Sequence, residues 1–344
     1  MDMTVVYQVQ HTIAFGPLVV LYFFLAGLSA GLFLLSSLGT VFGWERMQPL
    51  AKPLSALALA TIIPGGLSLL LDLGQPFRAL YLFTAFNPLS VMSWGSYILM
   101  AYCFITTLYV WLVWRSDARQ KVWGAAGIAA SLALGLYTGI LIAVSPGHPL
   151  WNSAVIPVLF LVSGIIAALS LVSVLRAISP AAIYVGEEAD DVFHSLKGIL
   201  VSLELVLIAA HLIILGLLGS AGAEVVKHLL IGARQFSFVG LQITMGTLVP
   251  LAILFFAHRS QAALGIAGFL SLAGVAALRY NIVVAGQELP DGGTLLHTMG
   301  DGGAVWMYAA ALLILSGVLA YIIPGFMEKC CQDDQRTTRT GASV

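Results

Sequence analysis

Charge is scarce in this chain. Asp, Glu, Lys and Arg make up 9% of its 344 residues, where an average soluble domain carries about 25%. A chain this long and this poor in charge is not an ordinary water-soluble protein. The formal net charge is −1 and no run of Lys or Arg forms a basic block, so nucleic-acid binding has no electrostatic footprint here. Cysteine is as thin. Cys103 lies inside an apolar run and Cys330-Cys331 near the tail, with no CxxC pair and no cluster-ligand spacing. A core thiol and two tail thiols account for them. Histidines do not pair either. Only His211 falls deep in an apolar run, while His11, His148, His194, His228, His258 and His297 fall at or beyond run ends. A membrane b-type haem needs two axial ligands at matching depth, so no haem is expected. No cluster of His, Cys or carboxylate offers a metal site. Strand-like alternation is missing as well, which argues against an outer-membrane barrel.

What the chain has is hydrocarbon. Hydrophobic residues make up 60% of it, in runs long enough to cross a bilayer. The pattern predicts an all-α polytopic transmembrane bundle of nine spans, at about 13–43, 53–73, 89–114, 122–144, 154–175, 196–219, 236–257, 260–285 and 303–323. The first run has no basic residue before it and far exceeds a signal-peptide core, so it reads as a mature helix. Basic residues then sort by side. Arg46, Lys52, Arg115, Arg119, Lys121, Arg176, Lys197, Arg259, Lys329, Arg336 and Arg339 fall on one side; Arg78, Lys227 and Arg234 fall on the other. The positive-inside rule places the N-terminus outside and the C-terminus in the cytoplasm. Two outer connections are long for turns: 74–88, with Phe77, Tyr81, Phe83, Phe86 and Pro88, and 286–302, with Gln287, Glu288, Asp291 and His297. They read either as interfacial aromatic segments or as a docking surface for an extracytoplasmic partner.

A weak internal repeat is visible. Phe24-Leu25-Ala26-Gly27 with Gly31 resembles Leu161-Val162-Ser163-Gly164 with Ala168, and Leu136-Tyr137-Thr138 through Ala143 resembles Leu278-Arg279-Tyr280 through Ala285. Both offsets are about 140 residues and join spans of like direction, which implies a parallel repeat. It divides the chain into a first four-helix bundle, 1–144, a second, 145–287, and a ninth helix with a tail, 288–344. Small residues at such spacings also simply allow close helix packing.

Ionisable groups at membrane depth are functional hypotheses by default. Asp72 closes span 2 on the outside, Arg279 lies on span 8, and Glu204 and His211 lie on span 6, seven apart and so on one face. A carboxyl and an imidazole stacked this way can pass protons; the plainer reading is that each is neutral and structural. Tyr22 and Tyr137 fall at comparable outer depths. A buried phenol needs a partner, either another side chain or a small polar-headed ligand. Pro64-Gly65-Gly66 in span 2 and Pro250 in span 7 are expected to loosen or kink their helices. Three functions compete: a redox subunit, a secondary transporter with its site at the Pro64 break, and a membrane anchor without ligand.

Several stretches, taken together and in order from residue 13 to about 287, resemble the NrfD/PsrC family of respiratory membrane subunits. They are Tyr22 to Gly27 with Ala30-Gly31; Asp72-Leu73-Gly74-Gln75-Pro76-Phe77-Arg78; Pro88 to Ser96, containing Ser93-Trp94; Tyr137-Thr138-Gly139 with Pro149-Leu150-Trp151-Asn152; Pro157 to Gly164; Glu204; Val249-Pro250; and Ala285-Gly286-Gln287. The resemblance implies a haem-free, quinol-oxidising subunit in a bacterial or archaeal cytoplasmic (inner) membrane. Its substrate would be menaquinone or ubiquinone, held in the outer half of the first bundle. Its partners would be an extracytoplasmic multi-cluster iron–sulfur (ferredoxin-like) subunit and a catalytic molybdopterin or multihaem cytochrome subunit. Tyr137 matches the family tyrosine facing the quinone carbonyl, and Tyr22 stands where some relatives place a histidine. On this reading Tyr137 and Asp72 are catalytic, and Tyr22, Ser93, Trp94 and Arg279 complete the quinone site. Glu204 and His211 would form a proton path.

Overall fold

The computed structural model describes residues 15–74, 81, 84, 86–145, 147–179, 187–217, 219–257, 260–288 and 303–341. Among these residues the elements, in order, are α1 (Pro17–Thr40), a 3-10 turn (Glu45–Met47), α2 (Gln48–Asp72), α3 (Val91–Trp114), α4 (Gln120–Ala143), α5 (Val155–Ile178), α6 (Glu187–Leu217), α7 (Ser220–Leu230), α8 (Phe236–Phe256), α9 (Gln261–Glu288) and α10 (Gly303–Gly341). All but α7 are long and apolar enough to cross a membrane, nine in all among the described residues. The face on which α1 begins is called the N face, and the face on which it ends the C face.

Local chemistry sets the helix ends. Pro17 opens α1, where its missing N–H costs nothing. Ser90 and Ser260 cap α3 and α9, their hydroxyls accepting from the backbone N–H of Ser93 and Ala263. Beyond α2, Gly74 turns the chain with φ +64°, a conformation a side chain resists. The helices pack as two rings: α1, α2, α3 and α4 in one, and α5, α6, α8 and α9 in the other. α1 is the most enclosed span and crosses α5 at the centre, while α10 runs along α2.

The repeated small residues are that crossing. A Cβ on Gly31 would lie 2.5 Å from the Gly164 carbonyl oxygen, and a Cβ on Gly164 2.7 Å from the Gly27 carbonyl oxygen. Backbone meets backbone there, as in small-xxx-small packing in lipid.

Four features refine the expected spans. Pro64-Gly65-Gly66 does not interrupt α2, which continues as one helix to Asp72. Gly65 instead admits α1: a Cβ there would sit 3.3 Å from Leu25 Cβ. Pro250 comes with a loosened helix, as expected: it follows a stretch wound wide as a π-helix, Phe236–Leu248, in which the Val249 N–H reaches back to Thr244. The wider winding accommodates a proline that lacks an N–H and crowds the preceding turn. α10 does not stop at 323 but runs on to Gly341 through Pro324. Finally, α7 has no counterpart among the nine expected spans. Its inward residues Gly222, Val225 and Leu229 recur at helical spacing, but over only 11 residues.

The N face is held shut by polar contacts that short motifs alone do not reveal. The Gln287 side chain accepts from the Phe15 N–H (2.9 Å) and donates to the Phe15 and Val283 carbonyls (3.0 and 2.9 Å). The Trp151 indole N–H donates to the Ile282 carbonyl at 2.6 Å. These bonds tie the start of α1, the α4–α5 connection and the end of α9 together. Arg234 grips buried Glu288 through two contacts, one from Nε at 2.8 Å, and His228 lies 3.2 Å from the same carboxylate. The carboxylate holds the Arg234 guanidinium even more firmly protonated than usual. Most of segments 74–88 and 286–302, including Phe77, Arg78, Asp291 and His297, lies outside the described residues.

Candidate functional site

Tyr22 lies about 7 Å along α1 from its start, and Tyr137 about 9 Å along α4 from its end, at 1.5 Å per residue. The fold brings them to matching depth below the N face. Both are buried, and Tyr22 lies within electrostatic reach of Tyr137 and of Cys103 on α3. No hydrogen bond joins the two phenols, and neither hydroxyl has a partner among the described residues. The Tyr137 ring and hydroxyl lie directly against Gly95 of α3, in the space a Cβ there would need. Glycine at 95 therefore seats the phenol between α3 and α4.

Below this pair the first ring is cross-linked by hydroxyls. Tyr102 meets Ser29 at 2.8 Å, and Ser29 in turn donates to the Ala58 carbonyl. Tyr109 meets Thr40 at 2.7 Å and Ser36 at 3.2 Å. These deeper tyrosines are satisfied by the protein. Tyr22 and Tyr137 are not, and the contrast singles them out.

The other expected site residues divide. Ser93 is buried two residues before Gly95. Trp94 is 49% exposed on the rim, where its indole N–H donates to the Pro88 carbonyl and its ring meets Phe86 edge-on at 5.3 Å. Asp72 is exposed at the N-face end of α2, its carboxylate beside Gly16 at the start of α1. A carboxylate is favoured at the positive end of a helix. Arg279 sits apart from the phenols. It is fully enclosed, donating from Nη2 to the Phe160 carbonyl at 2.7 Å and stacked 3.7 Å from the Phe160 ring centroid. Nε and Nη1 have no partner among the described residues. Its electrostatic partner is Glu204 of α6, beyond ion-pair distance. Arg279 thus joins Glu204 in the second ring instead of the tyrosine pair, because α9 packs mainly on α5, and its guanidinium lies in the space that a Cβ on Gly27 of α1 would crowd.

Glu204 and His211 are both buried on the inner face of α6, as their spacing predicts. His211 faces the Leu150 backbone without meeting hydrogen-bond geometry. It lines a small cavity with Gln242 and Asn281, whose side chains bond to each other at 2.8 Å. Lys197, which its sequence position places among the cations of the C face, is as buried as Glu204. Among the described residues, no group of three or more His, Cys, Asp or Glu gathers in metal-binding fashion.

Residues 5–290 match the family described as Polysulphide reductase, NrfD. The chain belongs to the NrfD family. Its relatives are named as parts of oxidoreductases. It is 23% identical to a selenate reductase subunit of Mesobacillus selenatarsenatis, over 90% of this protein and 82% of that one. It is 27% identical to a polysulfide reductase chain of Wolinella succinogenes, over 80% and 95%. It is 30% identical to the Hdr-like menaquinol oxidoreductase integral membrane subunit of Archaeoglobus fulgidus, over 42% of this protein and 37% of that one. This NrfD-family protein is therefore a multi-pass membrane protein with a place in a redox complex.

Proposed function

We propose that this NrfD-family protein is the quinol-oxidising subunit of a respiratory oxidoreductase complex. The observation that carries the reading is the pair of unpartnered phenols, Tyr22 and Tyr137, buried at one depth near the N face. Each can donate one hydrogen bond to an oxygen of a quinone head, and Gly95 holds the Tyr137 ring in place for it. Menaquinol is the favoured substrate, since one relative carries it in its name. Oxidation of the quinol yields a quinone, two electrons and two protons. The electrons pass to an iron–sulfur subunit docked on the N face, which the excess of basic residues on the C face makes the extracytoplasmic side. That subunit hands them to a catalytic subunit. Asp72, exposed at the rim, accepts the released protons.

The first ring, within 1–144, carries the quinone site. The second, within 145–287, carries Glu204 and His211, which exchange protons across the bilayer, and 288–344 is an accessory helix and tail. In proteoliposomes holding the whole complex, Glu204→Gln should lower proton movement by about tenfold or more while uncoupled quinol oxidation stays within about twofold of wild type. Equal loss of both would remove Glu204 from a separate proton path.

The quinone site itself is tested with a photoreactive menaquinone analogue. Label should fall on peptides of α1, α3 and α4 around Tyr22, Gly95 and Tyr137, and excess menaquinone should compete it away. Label confined to the lipid-facing surface of α10 would overturn the assignment.

A further inference from the structure

We propose that Lys197 is the C-face loading group of the proton path in the second ring, a role that rests on the proton-exchange reading of Glu204 and His211. Lys197, Glu204 and His211 stand at intervals of seven on α6, with exposures of 2%, 3% and 4%. Two helical turns separate each pair, so the three side chains form one column, about 10 Å per step. Lys197 Nζ and both ring nitrogens of His211 have no partner among the described residues. A structural lysine buried on a helix would be paired. This amine has no protein partner among the described residues and lines a cavity instead.

Each end of the column meets a cavity. Lys197 lines one at the C face together with Arg176, Asp190, His194 and Gln261. His211 lines the other, toward the N face, with Gln242 and Asn281. Either cavity has room for about one water. Around Lys197 the charged groups already have contacts of their own: Arg176 is ion-paired with Asp190, and His194 Nε2 lies 3.0 Å from the Leu254 carbonyl. The amine therefore faces a polar vestibule without being bound by it. Glu204 stands between the two cavities, in the field of Arg279.

The transfer balances as follows. A hydronium at the C face gives a proton to the neutral Lys197 amine, breaking one of its O–H bonds, forming N–H and leaving water. The ammonium gives that proton up, breaking N–H, and water entering the column relays it over the step of about 10 Å to the Glu204 carboxylate, where an O–H bond forms. The Glu204 carboxyl then releases it by a second relay to His211 and the N-face cavity, which restores the carboxylate. No electron moves in these steps.

The test uses the complete complex in proteoliposomes with menaquinol, reading acceptor reduction and internal pH together. Lys197→Met keeps the length of the side chain and leaves no new unpaired group, so the fold should hold. It should lower proton movement by about tenfold or more, with uncoupled quinol oxidation within about twofold of wild type. Lys197→Arg should fail equally, because a guanidinium does not unload its proton, and Lys197→His should recover part of the movement. Rescue by arginine would show that only the charge matters and would overturn the proposal. So would undiminished proton movement in Lys197→Met, or a wild-type complex that oxidises quinol and moves no protons; in both cases the quinol reading stands. A wild-type complex that fails to oxidise quinol would sink that reading instead. Lys197 is then judged in the resting complex by reductive methylation with formaldehyde and borohydride. Modification of Lys197 supports an amine open to the C face, and an amine that stays unmodified overturns it.

Discussion

Tyr137→Phe should lower menaquinol-driven reduction of the partner subunit by about 100-fold, the scale of losing one well-placed hydrogen-bond donor, while the complex assembles normally. The substitution removes one oxygen and nothing else. The ring stays seated against Gly95 between α3 and α4, so packing is kept. The hydroxyl has no partner among the described residues, so its removal leaves no protein group unsatisfied. A stability loss is not expected, which separates this tyrosine from Tyr102 and Tyr109, whose hydroxyls bond to Ser29, Ser36 and Thr40. Stopped-flow reduction of the purified complex measures it. An unchanged rate would remove Tyr137 from the chemistry. Gly95→Ala makes the same point from the other side: its Cβ occupies the place of the phenol, so the ring must shift and activity should fall with Tyr137 still present.

Gly164→Val should prevent the protein from accumulating. The nearest atoms to a Cβ at 164 belong to the backbone of Gly27, with the carbonyl oxygen at 2.7 Å, and a backbone inside a packed helix does not swing aside. α1 and α5 would have to separate. That separation would also unseat Arg279, which donates to the Phe160 carbonyl one turn away on α5 and lies 3.2 Å from a Cβ on Gly27. Overpacking a tight core costs about 1–3 kcal/mol, and leaving the buried guanidinium without its acceptor adds a penalty of similar size. Such a sum, about 2–6 kcal/mol, is enough to unfold a protein near the low end of ordinary stability, about 5 kcal/mol. Membrane yield, read by in-gel detection and size-exclusion chromatography in detergent, should drop to background. Gly66→Ala is the control. Nothing lies within 4 Å of a Cβ there, so normal yield is expected. Normal yield of Gly164→Val would contradict the crossing itself.

The Gly27–Gly164 contact shows how far sequence reading reaches. The two motifs stand out by their likeness at a fixed offset, but likeness does not say that they touch. Counting residues from span ends puts Tyr22 and Tyr137 at one depth, and the fold sets them within reach of each other. Arg279 passes the same depth count and goes elsewhere, because depth says nothing about position around the bundle. Lys197 shows the opposite failure. Read as one more cation near a span end, it disappears into the charge tally, although its spacing of seven from Glu204 is there to be seen. Trp94 and Asp72 group with the tyrosines by motif, and the fold leaves both exposed.

The sequence by itself determined that this chain is a helical membrane protein of nine spans, which family it joins and which end of its span each polar group approaches. These follow from one-dimensional quantities, namely the length of apolar runs, the placement of charge between them and the order of short motifs. The tertiary structure alone decided which groups share a neighbourhood: Tyr137 on Gly95, Arg279 facing Glu204, Gln287 clasping Phe15, and Lys197 turned inward. Those pairings depend on how each helix is rotated about its axis and on how closely two backbones approach. In lipid, where every span is apolar on nearly all sides, hydrophobic pattern does not specify that rotation, and glycine contacts and buried hydrogen bonds do.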